Sequence, residues 1–242
     1  MVMALGYAGI GCTRIAERPA VPEGIAHAQP SIPPIGANAS DVTTFTENAS
    51  IREGDSYGIL VIKGSNTALN MSGGSIHKLI VKDSSLVSIQ GGVVQEMYLY
   101  DACSLVITGG KIDAVLGYGH NPITVRESAH IGKVHGYGAP KLVVDGIDAR
   151  VDTIQYFSKC GCVDQSQKVR IDLSGGSFGA VGTGSTEVAL NVTGYDLHKS
   201  AYGGKHGYGL VKGKWKDGTN FSFDLADKPT FSHTDLYSLR LP

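Results

Sequence analysis

Short runs of alternating apolar and polar residues recur along most of this chain at a fixed distance. Leu69–Gly74 reads Leu-Asn-Met-Ser-Gly-Gly, and the pattern returns 18 residues later in Val87–Gly92 and after another 18 in Leu105–Gly110. Alternation with a period of two is typical of β-strands that have one buried face. Apolar positions downstream of the three runs keep the same step: Ile76, Val94, Ile112, Leu79, Met97 and Val115.

About eight such units span residues 51–197. Each unit holds two alternating stretches, and a Gly pair on one side suits a corner that needs positive φ or a close backbone approach. Helical solenoids do not show a period of two, and a β-sandwich needs no fixed register. The pattern therefore predicts an all-β fold, a parallel β-solenoid (β-helix) of about eight coils of about 18 residues, stacked about 4.8 Å apart.

The ends of a solenoid expose unpaired strand edges, so we expect caps. We place the solenoid at 43–208, with residues 43–58 as its N-terminal cap. From 209 to 242 the repeat is lost, and two alternating stretches flank Asp217-Gly218, a strong hairpin signal. Trp215 lies beside this turn. The segment therefore predicts a C-terminal β-hairpin cap whose large side chains close the core.

Residues 1–42 have a different character, without periodicity and rich in proline. Gly9–Cys12 resembles a lipoprotein processing site in which Cys12 would be acylated, and Ala26–Ala28 fits the small-x-small pattern that signal peptidase cuts. Pro30–Pro34 suits an extended linker. We expect a leader or disordered tail and a Pro-rich linker on a secreted or cell-surface protein; a cytoplasmic protein with a loose tail is the alternative.

Charge and composition narrow the range of partners. The 242 residues carry 21 Lys+Arg and 22 Asp+Glu, a formal net charge of -1, so no global field favours nucleic acid. No run approaches the roughly 18 apolar residues of a membrane-spanning helix. A Gly-rich phosphate loop and a spaced metal-ligand motif are also missing from the sequence. We expect no nucleic-acid partner, no integral membrane span, no cofactor and no bound metal.

The units Leu69–Ile76 and Leu105–Ile112 resemble the Gly-Gly solenoid repeats of large surface and secreted proteins of planctomycete-type bacteria. The ending Lys216–Leu225 is similar to the segment that often follows those repeats. The resemblance covers roughly residues 60–242 and implies an exported, multi-coil β-solenoid of structural or adhesive character. It implies no reaction.

One corner combines tyrosine, histidine and glycine in a repeated motif. Gly117–His120 and His135–Gly138 fall on consecutive coils, which should stack Tyr118 on Tyr137. An aromatic strip with nearby histidines suits a sugar ring or a neighbouring subunit, whereas a stack that only closes a Gly-rich corner is the competing interpretation. Our candidate ligand-binding residues are Tyr118, His120, His135, Tyr137 and Tyr208.

An insertion at 158–168 breaks the repeat and carries Cys160 and Cys162. Inserted loops are where solenoids often place function, so these thiols form our second candidate site. Cys103 falls at a regular turn position, which favours a packed residue over a reactive one. Histidines on neighbouring coils have no supporting metal motif: His120, His130 and His135.

Catalysis is the weakest functional prediction. Four residues could supply paired carboxylates for glycoside chemistry, although turns favour Asp in any solenoid: Glu127, Asp145, Asp148 and Asp152. We therefore expect a structural or adhesive β-solenoid that self-associates into filaments or layers. We leave its enzymatic status uncertain and favour the absence of enzymatic activity. The alternative is a polysaccharide-binding or polysaccharide-degrading β-helix, with a polysaccharide as partner.

Overall fold

A computed structural model describes residues 41–138, 141–157, 170–182, 188–200, 204–205, 208–226 and 230–235. The leader or tail with Cys12 lies outside the described residues, as does nearly all of the Pro-rich linker region. The inserted loop with Cys160 and Cys162 also lies outside them, so both remain predictions.

The described residues contain strands and no helix. In chain order the strands are β1 Val42–Phe45, β2 Ala49–Ile51, β3 Ser56–Ile62, β4 Ala68–Met71, β5 Ser75–Val81, β6 Leu86–Ile89, β7 Val93–Asp101, β8 Ser104–Ile107, β9 Lys111–Gly119, β10 Pro122–Val125, β11 His130–Gly138, β12 Lys141–Val144, β13 Arg150–Phe157, β14 Arg170–Leu173, β15 Ser177–Gly182, β16 Ala189–Lys199, β17 Leu210–Lys214, β18 Asn220–Leu225 and β19 Thr230–Asp235.

The strands form a parallel β-solenoid of about seven turns, which confirms the predicted fold class. The odd-numbered strands β1 to β15, with β17 and β18, make sheet A, and the even-numbered strands β2 to β16, with β19, make sheet B. The long strand β16 also pairs with β17 of sheet A. The coil count is slightly lower than predicted. The last sequence unit forms β16, whose second half turns back antiparallel against β17 and so does not complete a coil.

The register follows the sequence repeat. Leu69 pairs with Val87, which in turn pairs with Leu105, so each step of 18 residues becomes one step to the next strand. All three side chains are fully buried. Equivalent inward positions therefore form continuous apolar columns, which fill the narrow interior between the two sheets.

The Gly pairs lie at the corner that follows a sheet B strand. The second glycine has positive φ, 85° at Gly92 and 78° at Gly110, a region that residues with a Cβ avoid. A Cβ on the first glycine, Gly91 or Gly109, would collide with backbone of the preceding coil. Both predicted reasons for glycine are confirmed: the first member needs the close approach, and the second needs both the close approach and positive φ.

The opposite corner, after a sheet A strand, uses polar side chains. Asp83 and Asp101 have φ of 61° and 59°, and their carboxylates accept the backbone N–H groups of Gly64 at 2.8 Å and Asp83 at 3.1 Å. Ser85 is fully buried, and its hydroxyl donates to the carbonyls of Lys82 and Gly64. These bonds satisfy backbone groups that the turn leaves unpaired.

Cys103 takes the inward position of Ser85 one coil later. It is fully buried, and burial raises the pKa of its thiol to about 12, although the Asn121 amide donates to Sγ and opposes this rise. The thiol therefore stays protonated at neutral pH. This confirms that Cys103 is a packed residue.

The predicted hairpin is present as β17 and β18, which pair antiparallel, and β18 continues sheet A beside β15. Trp215 stacks on Phe221 with ring centroids 3.7 Å apart, and its Nε1 donates to the carbonyl of Gly176 at 2.8 Å. Phe178 meets Phe223 edge to face at 5.7 Å. The hairpin thus packs an aromatic cluster onto the last coil.

Tyr156 is a large interior residue, and the two preceding coils have glycine at the equivalent position. In its column Val81 and Leu99 are followed by Gly117 and Gly136, and then by Tyr156. The ring is fully buried, and its hydroxyl has no hydrogen-bond partner among the described residues. The two glycines leave room for a large side chain in the column. Burial raises the pKa of this phenol well above its usual range.

The corner geometry predicts unequal costs for two glycine substitutions. Gly92→Ala should lower the free energy of unfolding by about 2–4 kcal/mol, because positive φ is strained and the new Cβ meets backbone oxygens of the preceding coil. Gly54→Ala is the matched control, since its φ is 91° but nothing lies within 4 Å of the added Cβ. It should cost about 1–2 kcal/mol. Equal costs in urea unfolding would contradict the crowding of the corner.

The buried phenol predicts a stabilising substitution. Tyr156→Phe should raise the free energy of unfolding by about 1 kcal/mol, because it removes a desolvated hydroxyl that has no partner. Because the folded pKa is raised, stability does not depend on the titration of this phenol below pH 10, and it falls as pH rises further because the phenol ionises first in the unfolded chain.

Urea unfolding at neutral pH and near pH 11 measures both effects. The wild-type protein should lose more stability at high pH than the Tyr156→Phe variant. Tyr208→Phe, at an exposed tyrosine, controls for general alkaline effects and should match wild type. A Tyr156→Phe variant that is less stable than wild type at neutral pH would contradict the unpartnered hydroxyl.

Candidate functional site

The outer face of sheet A carries a column of tyrosines. Because side chains alternate along a strand, Met97 and Leu99 of β7 are buried while Tyr98 and Tyr100 point outward and are half-buried. Tyr100 pairs in register with Tyr118 of β9, which pairs with Tyr137 of β11. We call Tyr100, Tyr118 and Tyr137 the tyrosine ladder.

The rings of the tyrosine ladder are stacked nearly parallel. Centroids lie 5.2 Å apart between Tyr100 and Tyr118 and 5.0 Å between Tyr118 and Tyr137, with interplanar angles of 12° and 7°. The predicted stack of Tyr118 on Tyr137 is therefore present. Tyr100 was not predicted, although it precedes Tyr118 by the same 18 residues that define the repeat.

The stacking decides what the ladder offers a ligand. Both faces of the middle ring, Tyr118, are covered by its neighbours, so the ladder presents ring edges and hydroxyl groups rather than a flat aromatic platform. Burial raises the pKa of Tyr118, and the neighbouring Tyr137 and Tyr100 add to the rise. The hydroxyl therefore remains a protonated donor at neutral pH.

Lysines lie against the first aromatic rings of this face. The Lys82 ammonium lies 5.7 Å from the ring centroid of Tyr100, and that of Lys78 lies 5.2 Å from the ring of Tyr98. Lys78 also pairs with Glu96 at 3.4 Å, and the Tyr98 hydroxyl donates to Glu96 at 3.1 Å. Burial, and then this hydrogen bond, raises the pKa of Tyr98.

A second outward column runs beside the ladder and is mostly apolar. Ile80, Tyr98, Leu116 and His135 pair in register across four successive strands. His135 is half-buried, and burial lowers its pKa, with a further contribution from Lys133. His135 is therefore neutral at pH 7, and it shares the outer face of β11 with Tyr137.

The other two predicted ligand residues lie elsewhere. His120 is exposed in the turn after β9, where its backbone N–H donates to the carbonyl of Asp101 at 3.0 Å. Tyr208, 43% exposed, precedes β17, and three strands, β13, β15 and β18, separate β17 from β11. Four strand spacings of about 4.8 Å separate β17 from β11 by about 19 Å, so Tyr208 lies well away from Tyr137. Tyr208 shares the Gly-Tyr-Gly motif of Tyr118 and Tyr137, but it does not belong to the tyrosine ladder.

A shallow groove of about 240 Å³ lies on the first coils, between the starts of the sheet A strands. Its polar rim is internally paired, since Ser75 donates to Ser56 at 3.2 Å and His77 lies 2.6 Å from Gln95. These bonds occupy the groups that would hold a ligand. The tyrosine ladder is therefore the better candidate site.

Ionisable residues elsewhere are held in ion pairs. Arg126 contacts Asp145 at 3.0 Å, and Asp152 accepts hydrogen bonds from Arg150 at 2.7 Å and His130 at 3.4 Å. Burial would raise the pKa of Asp152, but these two bonds outweigh it and lower the pKa. Two of the four predicted carboxylates are thus held in ion pairs, and the lowered pKa of Asp152 does not suit a general acid.

Within the part of the chain that the structure describes, no group of three metal-binding side chains lies close enough to hold an ion. No helix in that part has the length and apolar character needed to cross a membrane. No known family model matches the chain, and neither does any curated protein or any solved structure.

The ladder geometry predicts how its central residue contributes to stability. Tyr118→Ala should lower the free energy of unfolding by about 1–2 kcal/mol, because it removes two ring contacts. Tyr118→Phe keeps the ring and should change it by less than about 0.5 kcal/mol. Urea unfolding of both variants provides the measurement. A Phe variant as unstable as the Ala variant would show that the hydroxyl, not the stack, supplies the energy.

Proposed function

We propose that the protein is an exported structural or adhesive β-solenoid that binds its target on the outer face of sheet A. The tyrosine ladder is the observation that supports this function most directly. Three stacked rings follow the coil repeat at 5.0–5.2 Å, on strands whose backbones are fixed by their neighbours. Such a face offers the same contact once per coil.

A repeated contact favours adhesion over a single small-molecule site. Each outward group makes a weak interaction, but several engaged together by one target give strong overall binding. The support for this arrangement is that the ladder and the neighbouring apolar column both run along the solenoid axis.

Self-association is the second element of the proposal. Among the described residues, β1 pairs only with β3 and β2 only with β4, so no described strand covers the outer edge of either. Val42 in β1 is 62% exposed. Open edges of parallel strands can pair with another chain, which supports assembly through the N-terminal end.

Retention of the full chain on particles tests the adhesive function. Cellulose, chitin and immobilised polygalacturonate serve as the probes. Wild type should be retained on at least one matrix, and Tyr118→Ala combined with Tyr137→Ala should lose most of that retention. Tyr208→Ala, outside the ladder, is the matched control and should bind like wild type.

Light scattering and negative-stain microscopy of the same samples report self-association. Filaments or layers that grow with concentration would support the structural role. A protein that stays monomeric and is retained on none of the three matrices would overturn the proposed function. Retention that survives the double tyrosine variant would remove the ladder as the adhesive surface.

A further inference from the structure

We infer that the outer face of sheet A binds an extended anionic polysaccharide, a polymer of acidic sugars, that lies along the solenoid axis. The inference rests on the proposed adhesive function and names its target by chemical class. It follows from what continues the tyrosine ladder toward the N-terminus, and from the charge of the residues beside it.

Two lysines extend the ladder column. Ile62, Val81 and Leu99 pair in register across three successive strands, so the residues that follow them also align. Those residues are Lys63, Lys82 and Tyr100. The backbone N–H of Lys82 donates to the carbonyl of Ile62, so the backbone hydrogen bonding between these two coils continues beyond the strand ends. One column thus runs from Lys63 through Lys82 into the three tyrosines, with one residue per coil.

All five members of this column are hydrogen-bond donors. An ammonium group has donors only, and a phenol hydroxyl that stays protonated also donates. The donors recur at the coil spacing, which the ring centroids give as 5.0–5.2 Å. A carboxylate has acceptors only at neutral pH, so a polymer with one acidic group per sugar would present matching acceptors along the column.

The charge of the face complements such a polymer. Three neighbouring outward columns of sheet A, those that contain Lys78, Ile80 and Lys82, run across β3, β5, β7, β9 and β11. They hold four lysines and one acid: Lys63, Lys78, Lys82, Lys133 and Glu96. Asp83 and Asp101 in the adjoining turn direct their carboxylates to backbone N–H groups. With Asp83 and Asp101 counted, four lysines stand against three acids, so this part of the face has a formal net charge of +1 on a chain whose formal net charge is -1.

The periodicity favours a polymer over the other occupants. A second copy of this chain would bring an identical, positive face against the first, which costs electrostatic energy. A neutral polysaccharide could follow the same repeat but would leave the lysines without anionic partners. Both alternatives give distinct outcomes in the experiment below.

Binding of the full chain to immobilised polygalacturonate, followed by biolayer interferometry, tests the inference. Fully methyl-esterified polygalacturonate is the control polymer, because it has the same sugar backbone without the charge. We expect binding to the acid form only, and weakening as salt rises, because ions screen exposed charges. Lys63→Gln combined with Lys82→Gln should weaken binding roughly 30-fold, as for two lysines near an anionic surface.

Lys111→Gln combined with Lys141→Gln is the matched control variant. It removes the same two charges from positions outside the columns that run from Lys78 to Lys82, and there the side chains pair with Asp113 and Asp172. Its affinity should stay within about twofold of wild type, since long-range fields are screened. Equal loss in both double variants would show a general charge effect and would overturn the inference.

The remaining outcomes separate this inference from the proposed function. Equal binding to the acid and the ester would overturn the anionic target and leave adhesion intact. Retention on cellulose or chitin without binding to either galacturonate polymer would do the same. If wild type binds none of the matrices and does not self-associate, both the inference and the proposed function fail.

Discussion

The backbone hydrogen bonds between successive coils are the constraint on which the rest of the structure depends. Parallel strands stack at about 4.8 Å only if equivalent residues stay in register from coil to coil. Each coil must therefore turn at the same two corners, and any extra residue must leave the stack at a corner. The Gly pair meets this demand at one corner because Gly91 has no Cβ to collide with the coil before it and Gly92 accepts positive φ.

The same constraint turns single residues into columns, inside and outside. Inside the solenoid, a small residue in one coil can leave space for a large residue in the next coil of the same column. Gly117 and Gly136 leave such space for Tyr156. Outward, the constraint sets side chains 5.0–5.2 Å apart, which is close enough for the rings of Tyr118 and its neighbours to stack. One backbone spacing thus explains a buried phenol and an exposed ladder.

The sequence repeat predicts whatever depends on register. The solenoid, the two roles of glycine and the stacking of Tyr118 on Tyr137 all follow from a constant step of 18 residues. The repeat does not predict which coil is the last. The last repeat unit has the same strand pattern as the others, but the second half of β16 pairs antiparallel with β17 of the hairpin. Tyr208 shares the Gly-Tyr-Gly motif, but its place is set by that hairpin and not by the repeat. The repeat also does not show how the rings are oriented, and the predicted aromatic strip presents ring edges rather than ring faces.

Burial is the largest cause of most of the shifted pKa values in this protein. The location of these shifted groups helps to distinguish an adhesive surface from a catalytic site. The thiol of Cys103 and the phenol of Tyr156 have raised pKa values because they lie in the core, away from the outer face. On the outer face, burial keeps His135 neutral and Tyr118 protonated. Catalytic sites set neighbouring groups apart in pKa so that one gives and another takes a proton. The ladder instead aligns three chemically identical phenols, and such a row of like groups is suited to holding a repeating target along its length.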